Sequence, residues 1–198
     1  MTRTLGIVLF PQVEELDFVG PLEVFGTLTN FDKEWRVLTV AECRDLITAA
    51  NGLKVKPDYS FDDCPPLDVL LMPGGMGTRR ERKNLKMLDF LRKAAAGASY
   101  VTSVCTGALV LHAAGLLHGK RATTYWASIE WLKSFGDVEV VNQRFVHDGN
   151  VITAAGVSAG IDMALYLVGL LNGADTARLV QKAIEYYPEP PVFAEAPP

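Results

Sequence analysis

Several absences narrow the possibilities for this chain of 198 residues. Its three cysteines are Cys43, Cys64 and Cys105, and none of them forms a C-x-x-C pair, so neither a zinc site nor a disulfide framework is predicted. No apolar run approaches the roughly 20 residues of a membrane span, and the amino terminus lacks the long apolar stretch of a secretory signal. We therefore expect a cytoplasmic protein with reduced thiols and no membrane contact.

A basic excess is also missing. The chain has 19 Lys and Arg residues against 23 Asp and Glu residues, which gives a formal net charge of −4. Dedicated nucleic-acid binders usually carry a basic excess, so nucleic acid is not an expected partner. The length suits one domain with a substantial core. We expect that domain over residues 1–187, followed by a proline-rich tail over residues 188–198.

Short apolar runs alternate with helical patterns along the chain. The larger strands are predicted at 5–10, 35–40, 68–72 and 99–104, and helices at 18–28, 80–96, 106–114, 126–134, 159–171 and 175–186. Asn51-Gly52 and Asp148-Gly149 each predict a hairpin, and short strands are predicted at 121–124 and 138–141. This alternation predicts an α/β sandwich with a mainly parallel sheet, right-handed crossovers and hairpin additions.

Cys105 is the sharpest candidate for chemistry. It stands between a predicted strand and a predicted helix in Val104-Cys105-Thr106-Gly107, which is the layout of a nucleophile elbow, although Ser103 replaces the first glycine of that motif. The positive end of the following helix predicts a lowered pKa for the Cys105 thiol. The competing interpretation is a small apolar side chain buried at the end of a strand.

Other candidates follow neighbouring strands, where ligands bind in open α/β sheets. Gly74-Gly75 could direct backbone N–H groups, together with that of Thr106, at a developing negative charge; a tight turn is the simpler interpretation. Asp17 lies among apolar neighbours, which would raise its pKa towards that of a general acid or base; a helix cap is the simpler interpretation. The basic cluster Arg79–Lys83 is either a solvated helix start or a group that attracts an anion.

Three motifs together resemble the ThiJ/PfpI superfamily, within the class I glutamine amidotransferase-like folds. They are Leu71–Gly75, Ser103–Gly107 and Arg121–Trp126, and the similarity runs from the first strand to Pro191. The resemblance implies a flavodoxin-like three-layer sandwich that forms a homodimer and needs no cofactor or metal. Within the superfamily, the chain is most similar to the branch that hydrates isocyanides.

The resemblance also implies roles for particular residues. Cys105 matches the nucleophile, Asp17 the catalytic acid/base, Thr106 the residue after the nucleophile and Gly75 the backbone part of an anion-binding site. Many relatives have His where this chain has Thr106, whereas the isocyanide-hydrating branch has Thr. Relatives also commonly have His in place of Tyr125, close to the expected substrate, so this position bears on substrate range.

The reaction that the resemblance implies is thiolate attack on the terminal carbon of an isocyanide, followed by hydrolysis to an N-substituted formamide. One alternative is a glyoxalase-like enzyme acting on a 2-oxoaldehyde, for which Glu15 is the only nearby carboxylate. Another is a non-enzymatic ligand or redox sensor that uses Cys105. AraC-type regulators with this fold continue into a helix-turn-helix domain that this sequence does not show, so we expect an enzyme acting on a small molecule.

Overall fold

The computed structural model describes residues 2–188. In chain order its strands are β1 (Arg3–Val8), β2 (Trp35–Ala41), β3 (Ile47–Thr48), β4 (Lys54–Val55), β5 (Tyr59–Ser60), β6 (Val69–Met72), β7 (Tyr100–Val104), β8 (Arg121–Ala122), β9 (Glu139–Val140), β10 (Phe145–Asp148) and β11 (Val151–Ala154). Its helices are α1 (Glu15–Phe31), α2 (Thr78–Glu81), α3 (Leu85–Gly97), α4 (Gly107–Ala113), α5 (Ile129–Lys133), α6 (Ala159–Asn172) and α7 (Ala174–Ala183). A 3-10 helix, Trp126–Ser128, precedes α5.

Seven strands form the central sheet, in the order β10-β11-β7-β6-β1-β2-β5. Every neighbouring pair is parallel except β10 with β11. The helices pack in two groups. In the first group α1, α6 and α7 contact one another, and in the second group α4 contacts both α2 and α3. The predicted α/β sandwich with a mainly parallel sheet is therefore confirmed.

The central strands are buried along almost their whole length. All residues of β6 are buried, and so are Leu5 to Val8 in β1 and Val101 to Val104 in β7. Such continuous apolar runs are typical of parallel strands covered on both faces. Strand order reverses between β1 and β6, because β1 leads to β2 on one side while β6 leads to β7 on the other. The carboxyl ends of β1 and β6 thus flank a topological switch point, where ligands bind in such folds.

Both predicted hairpins are present. Strands β3 and β4 pair antiparallel around Gly52, whose φ is 97°, and β10 and β11 pair antiparallel around Gly149, whose φ is 64°. Glycine adopts this left-handed conformation without the steric cost that a Cβ would add. The short strands β8 and β9 form a separate parallel pair on either side of α5.

Two of the differences between predicted and observed helices affect segments near the carboxyl ends of β1 and β6. The helix predicted at 80–96 is two helices, because the Asn84 side chain accepts a hydrogen bond from Lys86 N at 3.1 Å and caps a new helix, α3. Helix α1 begins at Glu15, earlier than predicted, so Asp17 lies inside its first turn. In the predicted tail, residues 189–198 lie outside the described residues. Within residues 2–188, no helix is long and apolar enough to cross a membrane.

Candidate active site

Three loops converge at the switch point, and Gly74 lies where they meet. A Cβ built on Gly74 would be 2.7 Å from Asp17 Oδ2, 2.8 Å from Cys105 Cβ and 2.6 Å from Thr106 N. No side chain larger than hydrogen fits between these groups. Four of the residues predicted from the sequence therefore lie together, although they come from three separate segments of the chain.

Cys105 has a strained backbone, with φ at 57°. A residue other than glycine in this region costs roughly 1–3 kcal/mol and persists only where its surroundings hold it. Here the Thr124 hydroxyl donates to Cys105 O at 2.8 Å, and Cys105 N donates to Ala155 O at 2.7 Å. This is the geometry of a nucleophile elbow between a strand and a helix, as predicted.

The surroundings of the Cys105 thiol oppose its ionisation more than they favour it. Burial raises the pKa of this thiol to about 12, and the Asp17 carboxylate acts in the same direction. Hydrogen bonds from the backbone N–H groups of Thr106 and Val157 and from the Thr106 hydroxyl act in the opposite direction. The prediction of a lowered thiol pKa is wrong for this resting arrangement, because desolvation at 6% exposure outweighs the helix end.

The Asp17 side chain is completely buried. Its Oδ2 accepts a hydrogen bond from Gly74 N at 2.8 Å, while Oδ1 has no hydrogen-bond partner within the described residues. Burial raises the pKa of Asp17 to about 7; the Glu14 carboxylate adds to the rise, and the Gly74 N–H and the Cys105 thiol oppose it. Asp17 is thus not a helix cap, and its carboxyl titrates where a general acid or base is useful.

Asp17 and Cys105 behave as one titrating pair. Burial raises the pKa of both groups; the Asp17 carboxylate raises the pKa of the Cys105 thiol further, whereas the hydrogen bond from that thiol lowers the pKa of Asp17. A single proton on the pair is consequently the favoured state above neutral pH. That proton can be held by sulfur or by the carboxyl, so Asp17 is placed to exchange it with the thiol.

The backbone N–H groups of Gly74 and Gly75 are already engaged. Gly74 N donates to Asp17, and Gly75 N donates to Thr106 Oγ1 at 3.1 Å. The structure therefore departs from the prediction that both groups face a developing negative charge: they hold two candidate catalytic side chains. Gly75 also has φ at 119° and would place a Cβ 2.4 Å from Gln12 O, so glycine is required there.

Tyr125 lies beside the nucleophile loop. A Cβ on Gly156 would be 2.8 Å from Cδ2 of its ring, and Gly156 precedes Val157, whose N–H faces the Cys105 thiol. The residue before Tyr125 is Thr124, which binds the Cys105 carbonyl. The half-buried aromatic ring therefore lies against the Gly156–Val157 segment, and its predicted contact with substrate stays a prediction.

Other polar residues considered from the sequence are engaged away from the thiol. Glu15 accepts hydrogen bonds from Asn51 N at 2.7 Å and from Asn51 Nδ2 at 2.8 Å. All three imidazoles have partners other than Cys105: His112 and His118 contact Asp137, and His147 contacts Tyr166. Within residues 2–188 the hydrogen bonds thus show no Cys-His dyad.

The basic cluster Arg79–Lys83 packs on neighbouring aromatic rings. The Arg79 and Arg82 guanidinium groups lie 5.7 Å and 5.0 Å from the centroid of the Trp131 ring, and Arg79 also donates to Gly75 O at 3.3 Å. A cavity of about 590 Å³ is lined by Arg80 and Lys83 of this cluster and by residues that include Phe10 and Met87. Neither Asp17 nor Cys105 lines that cavity, so the candidate active site is assigned to the switch point and not to the cavity.

The structure adds three residues that sequence reasoning did not place in the site. Thr124 fixes the strained Cys105 backbone, Val157 directs an N–H at the thiol, and Thr78 contacts Thr106. Val157 has φ at 37°, an outlier for a β-branched residue that no local pattern predicts. Within the described residues, no group of three His, Cys, Asp or Glu side chains is arranged to hold a metal ion.

The chain is similar in sequence and in fold to several known proteins. A family model described as the DJ-1/PfpI family matches residues 3–170. An isonitrile hydratase of Pseudomonas putida is 47% identical over 199 aligned residues, covering all of this chain and 84% of that protein. A helix-turn-helix transcriptional regulator of Pseudomonas aeruginosa is 29% identical over 93% of this chain but only 51% of its own length. The crystal structure of a ThiJ/PfpI family protein from Pseudomonas syringae superposes with a TM-score of 0.92 at 37% identity, covering 99% of this chain and 80% of that one.

Proposed function

The chain belongs to the DJ-1/PfpI family, and from this membership we propose that it is a hydratase that converts an isocyanide and water into an N-substituted formamide. The similarity to an isonitrile hydratase over the whole chain carries this proposal. Isonitrile and isocyanide are two names for the same functional group. The buried pair of Cys105 and Asp17 supplies a nucleophile and a proton carrier that suit this chemistry.

The first half of the proposed reaction forms a covalent intermediate. The Cys105 thiol passes its proton to Asp17 while the sulfur attacks the terminal carbon of the isocyanide, so a C–S bond forms. Asp17 then delivers that proton to the same carbon, and the C≡N bond becomes C=N. The product is a thioimidate, Cys105–S–CH=N–R, in which no atom is oxidised or reduced.

Water completes the proposed reaction. Ionised Asp17 takes a proton from water as the water oxygen adds to the thioimidate carbon, and Asp17 passes this proton to the imine nitrogen. The C–S bond then breaks while Asp17 carries the remaining hydroxyl proton to the sulfur, which returns the thiol and releases the formamide. Because hydration changes no oxidation state, the chemistry requires no redox cofactor, in agreement with the expectation that none is used.

Further groups have supporting roles in the proposed reaction. The N–H groups of Thr106 and Val157 and the Thr106 hydroxyl stabilise negative charge on the sulfur. Gly74 and Gly75 orient Asp17 and Thr106 through their backbone N–H groups. The Tyr125 ring contributes an apolar wall for the organic substituent of the isocyanide.

An isocyanide assay tests the proposed function. Purified protein should convert cyclohexyl isocyanide to the formamide, and Cys105→Ala should abolish this conversion. Cys43→Ser, which changes an exposed free thiol whose hydrogen-bond partner is Asp45, should leave the rate unchanged. Absence of formamide with the unaltered protein, or an equal rate in Cys105→Ala, would contradict the proposal.

The alternative enzyme activity has weaker support. A glyoxalase-like reaction would need Glu15 near the thiol, but its carboxylate is held by Asn51. The helix-turn-helix regulator from Pseudomonas aeruginosa is the relative that favours the sensor alternative, but this chain matches only about half of that protein. Conversion of methylglyoxal to lactate, measured beside the isocyanide assay, separates the two enzyme activities.

We propose further that the protein is a homodimer in the cytoplasm and does not bind nucleic acid. Three free thiols suit a reducing compartment, and the net charge of −4 disfavours a phosphate backbone. Exposed apolar side chains beside the site, Leu16, Met76 and Trp126, offer a surface for a second copy. Light scattering during size-exclusion chromatography should give twice the chain mass; a monomer would refute the dimer.

A further inference from the structure

Thr78, the first residue of α2, has a fully buried side chain next to the candidate active site. Its hydroxyl oxygen lies 2.7 Å from Gly75 O and 3.1 Å from Thr106 Oγ1. Thr106 Oγ1 is itself 3.1 Å from Gly75 N and 3.3 Å from Gly75 O. The hydroxyl groups of Thr78 and Thr106 thus both form hydrogen bonds with the backbone of Gly75.

Counting hydrogen atoms shows how this group is arranged. Each threonine hydroxyl has one hydrogen to donate, and the Gly75 carbonyl lies within reach of both hydroxyls. The distance from Thr78 is 2.7 Å and that from Thr106 is 3.3 Å, so Thr78 is the better donor. The Thr78 backbone N–H also donates to this carbonyl at 3.2 Å, so Thr78 supplies donors for both lone pairs and the hydrogen of Thr106 is not needed there.

We propose that Thr78 is a positioning residue: by donating to the Gly75 carbonyl, it leaves the Thr106 hydroxyl hydrogen available to the sulfur of Cys105. Thr106 keeps its orientation because Gly75 N donates to its oxygen. Thr78 does not touch the sulfur and acts through Thr106. Its importance for turnover rests on the proposed function, whereas its effect on the thiol does not.

Removing the Thr78 hydroxyl would redirect the Thr106 hydrogen. In Thr78→Val the shape of the side chain is kept, but the Gly75 carbonyl loses its closest side-chain donor. The backbone N–H of residue 78, 3.2 Å from this oxygen, remains as a donor. The second lone pair loses its partner, so the carbonyl should draw the hydrogen of Thr106, and the sulfur would lose a donor. The exposed Arg79 guanidinium, 3.3 Å from the same carbonyl, is the only other side chain bonded to it within residues 2–188.

The rate of Cys105 alkylation by iodoacetamide, followed from pH 6 to pH 10 by mass spectrometry of the Cys105 peptide, tests this role. Loss of one hydrogen bond of typical net strength corresponds to a rate loss of roughly three- to tenfold. We expect that loss at pH 8 in Thr78→Val, together with a profile displaced to higher pH. Thr78→Ser should keep the original profile because the hydroxyl is retained.

A control and a double variant sharpen the experiment. Thr29→Val removes a similar hydroxyl-to-carbonyl bond, 2.7 Å to Gly26 O in α1, and should not alter alkylation. Thr78→Val with Thr106→Val should be no slower than Thr106→Val alone, because Thr78 acts through Thr106. Three results would overturn the proposal. They are an unchanged pH profile in Thr78→Val, equal losses of alkylation rate in Thr78→Val and Thr78→Ser, and a loss in the double variant that equals the product of the two single losses.

Two measurements separate this proposal from others. Alkylation needs no isocyanide, so failure of isocyanide hydration would refute the proposed function and leave the Thr78 experiment intact. Thermal melting identifies a folding defect, and Thr78→Ala supplies a second hydroxyl-free variant if Thr78→Val does not fold. The same slowing in Thr78→Ala, with rescue in Thr78→Ser, would support the positioning role; a normal rate in Thr78→Ala would overturn it.

Discussion

Gly74 N donates a 2.8 Å hydrogen bond to Asp17 Oδ2 and thereby joins the turn after β6 to the first turn of α1. Within residues 2–188, this is the only hydrogen bond that the carboxyl accepts from the backbone, and the Cys105 thiol is the only side chain that lowers its pKa through a hydrogen bond. A single backbone donor does not offset the effect of complete burial, so the pKa of the Asp17 carboxyl lies near neutral pH. The pairing of a poised carboxyl with a buried thiol is the central chemical property of this site.

The pH dependence of turnover should follow this pair. Burial raises the pKa of Asp17 to about 7, and below that pH both groups are protonated, so no base accepts the thiol proton. We expect kcat/KM for an isocyanide to rise with pH through about 7 and then level off, because the pKa of Cys105 is about 12. A rate that falls as pH rises through 7 would contradict this assignment.

Replacing the carboxyl tests its role directly. Asp17→Asn can still accept the Gly74 hydrogen bond but cannot carry a proton, so kcat should fall by roughly 10²- to 10⁴-fold, and the limb near pH 7 should disappear. Glu15→Gln is the matched control, since Glu15 is a neighbouring carboxylate held by Asn51. Comparable losses in both variants would show that local charge matters more than the acid/base function.

The same carboxyl should affect stability. Burial raises the pKa of Asp17 from 3.8 to about 7 in the folded protein, so folding binds a proton between these values. Stability due to this proton is complete below about pH 4 and is lost as pH rises through about 7. Thermal melts at pH 5 and pH 8 should show Asp17→Asn gaining on the unaltered protein at the higher pH. One pKa unit corresponds to about 1.4 kcal/mol, so the gain should be measurable; no change with pH would contradict it.

Much of the fold and part of the site could be predicted from the sequence, for physical reasons. Buried parallel strands have continuous apolar runs, and Asn51-Gly52 marks its hairpin because few other residue pairs suit the turn. Cys105 could be singled out because it lies directly between a strand and a helix, which is the elbow pattern. Asp17 could be proposed from its apolar neighbours and from the resemblance, although its place inside α1 was not predicted.

The remainder depends on contacts between distant segments. The thiol pKa was predicted with the wrong sign because burial of Cys105 by other loops is not visible in its local sequence. The Gly74 and Gly75 N–H groups could not be matched to their acceptors, which lie 57 and 31 residues away along the chain. Val157 reaches the thiol through a strained loop that leaves no pattern in the sequence.

The space around Gly74 gives a steric prediction. Gly74→Ala would place a methyl group within 2.8 Å of Asp17, Cys105 and Thr106, and backbone atoms among these neighbours cannot move aside cheaply. We expect loss of nearly all hydration activity and a lower melting temperature. Gly26→Ala is the control: nothing lies within 4 Å of the added Cβ, and alanine in a helix interior stabilises by up to about 1 kcal/mol relative to glycine. Retained activity in Gly74→Ala would mean that the three groups need not be this close.

The Tyr125 ring should influence binding more than chemistry. It packs on Gly156, and the proposed reaction takes no proton from it. Tyr125→Ala should therefore raise KM for an aryl isocyanide by roughly three- to tenfold through lost apolar contact, with a smaller effect on methyl isocyanide and little change in kcat. Tyr187→Ala removes an exposed tyrosine beyond α7 and should alter neither constant. If kcat falls instead, and Tyr125→Phe reproduces the fall, the phenol takes part in the reaction and the proposed division between binding and chemistry is wrong.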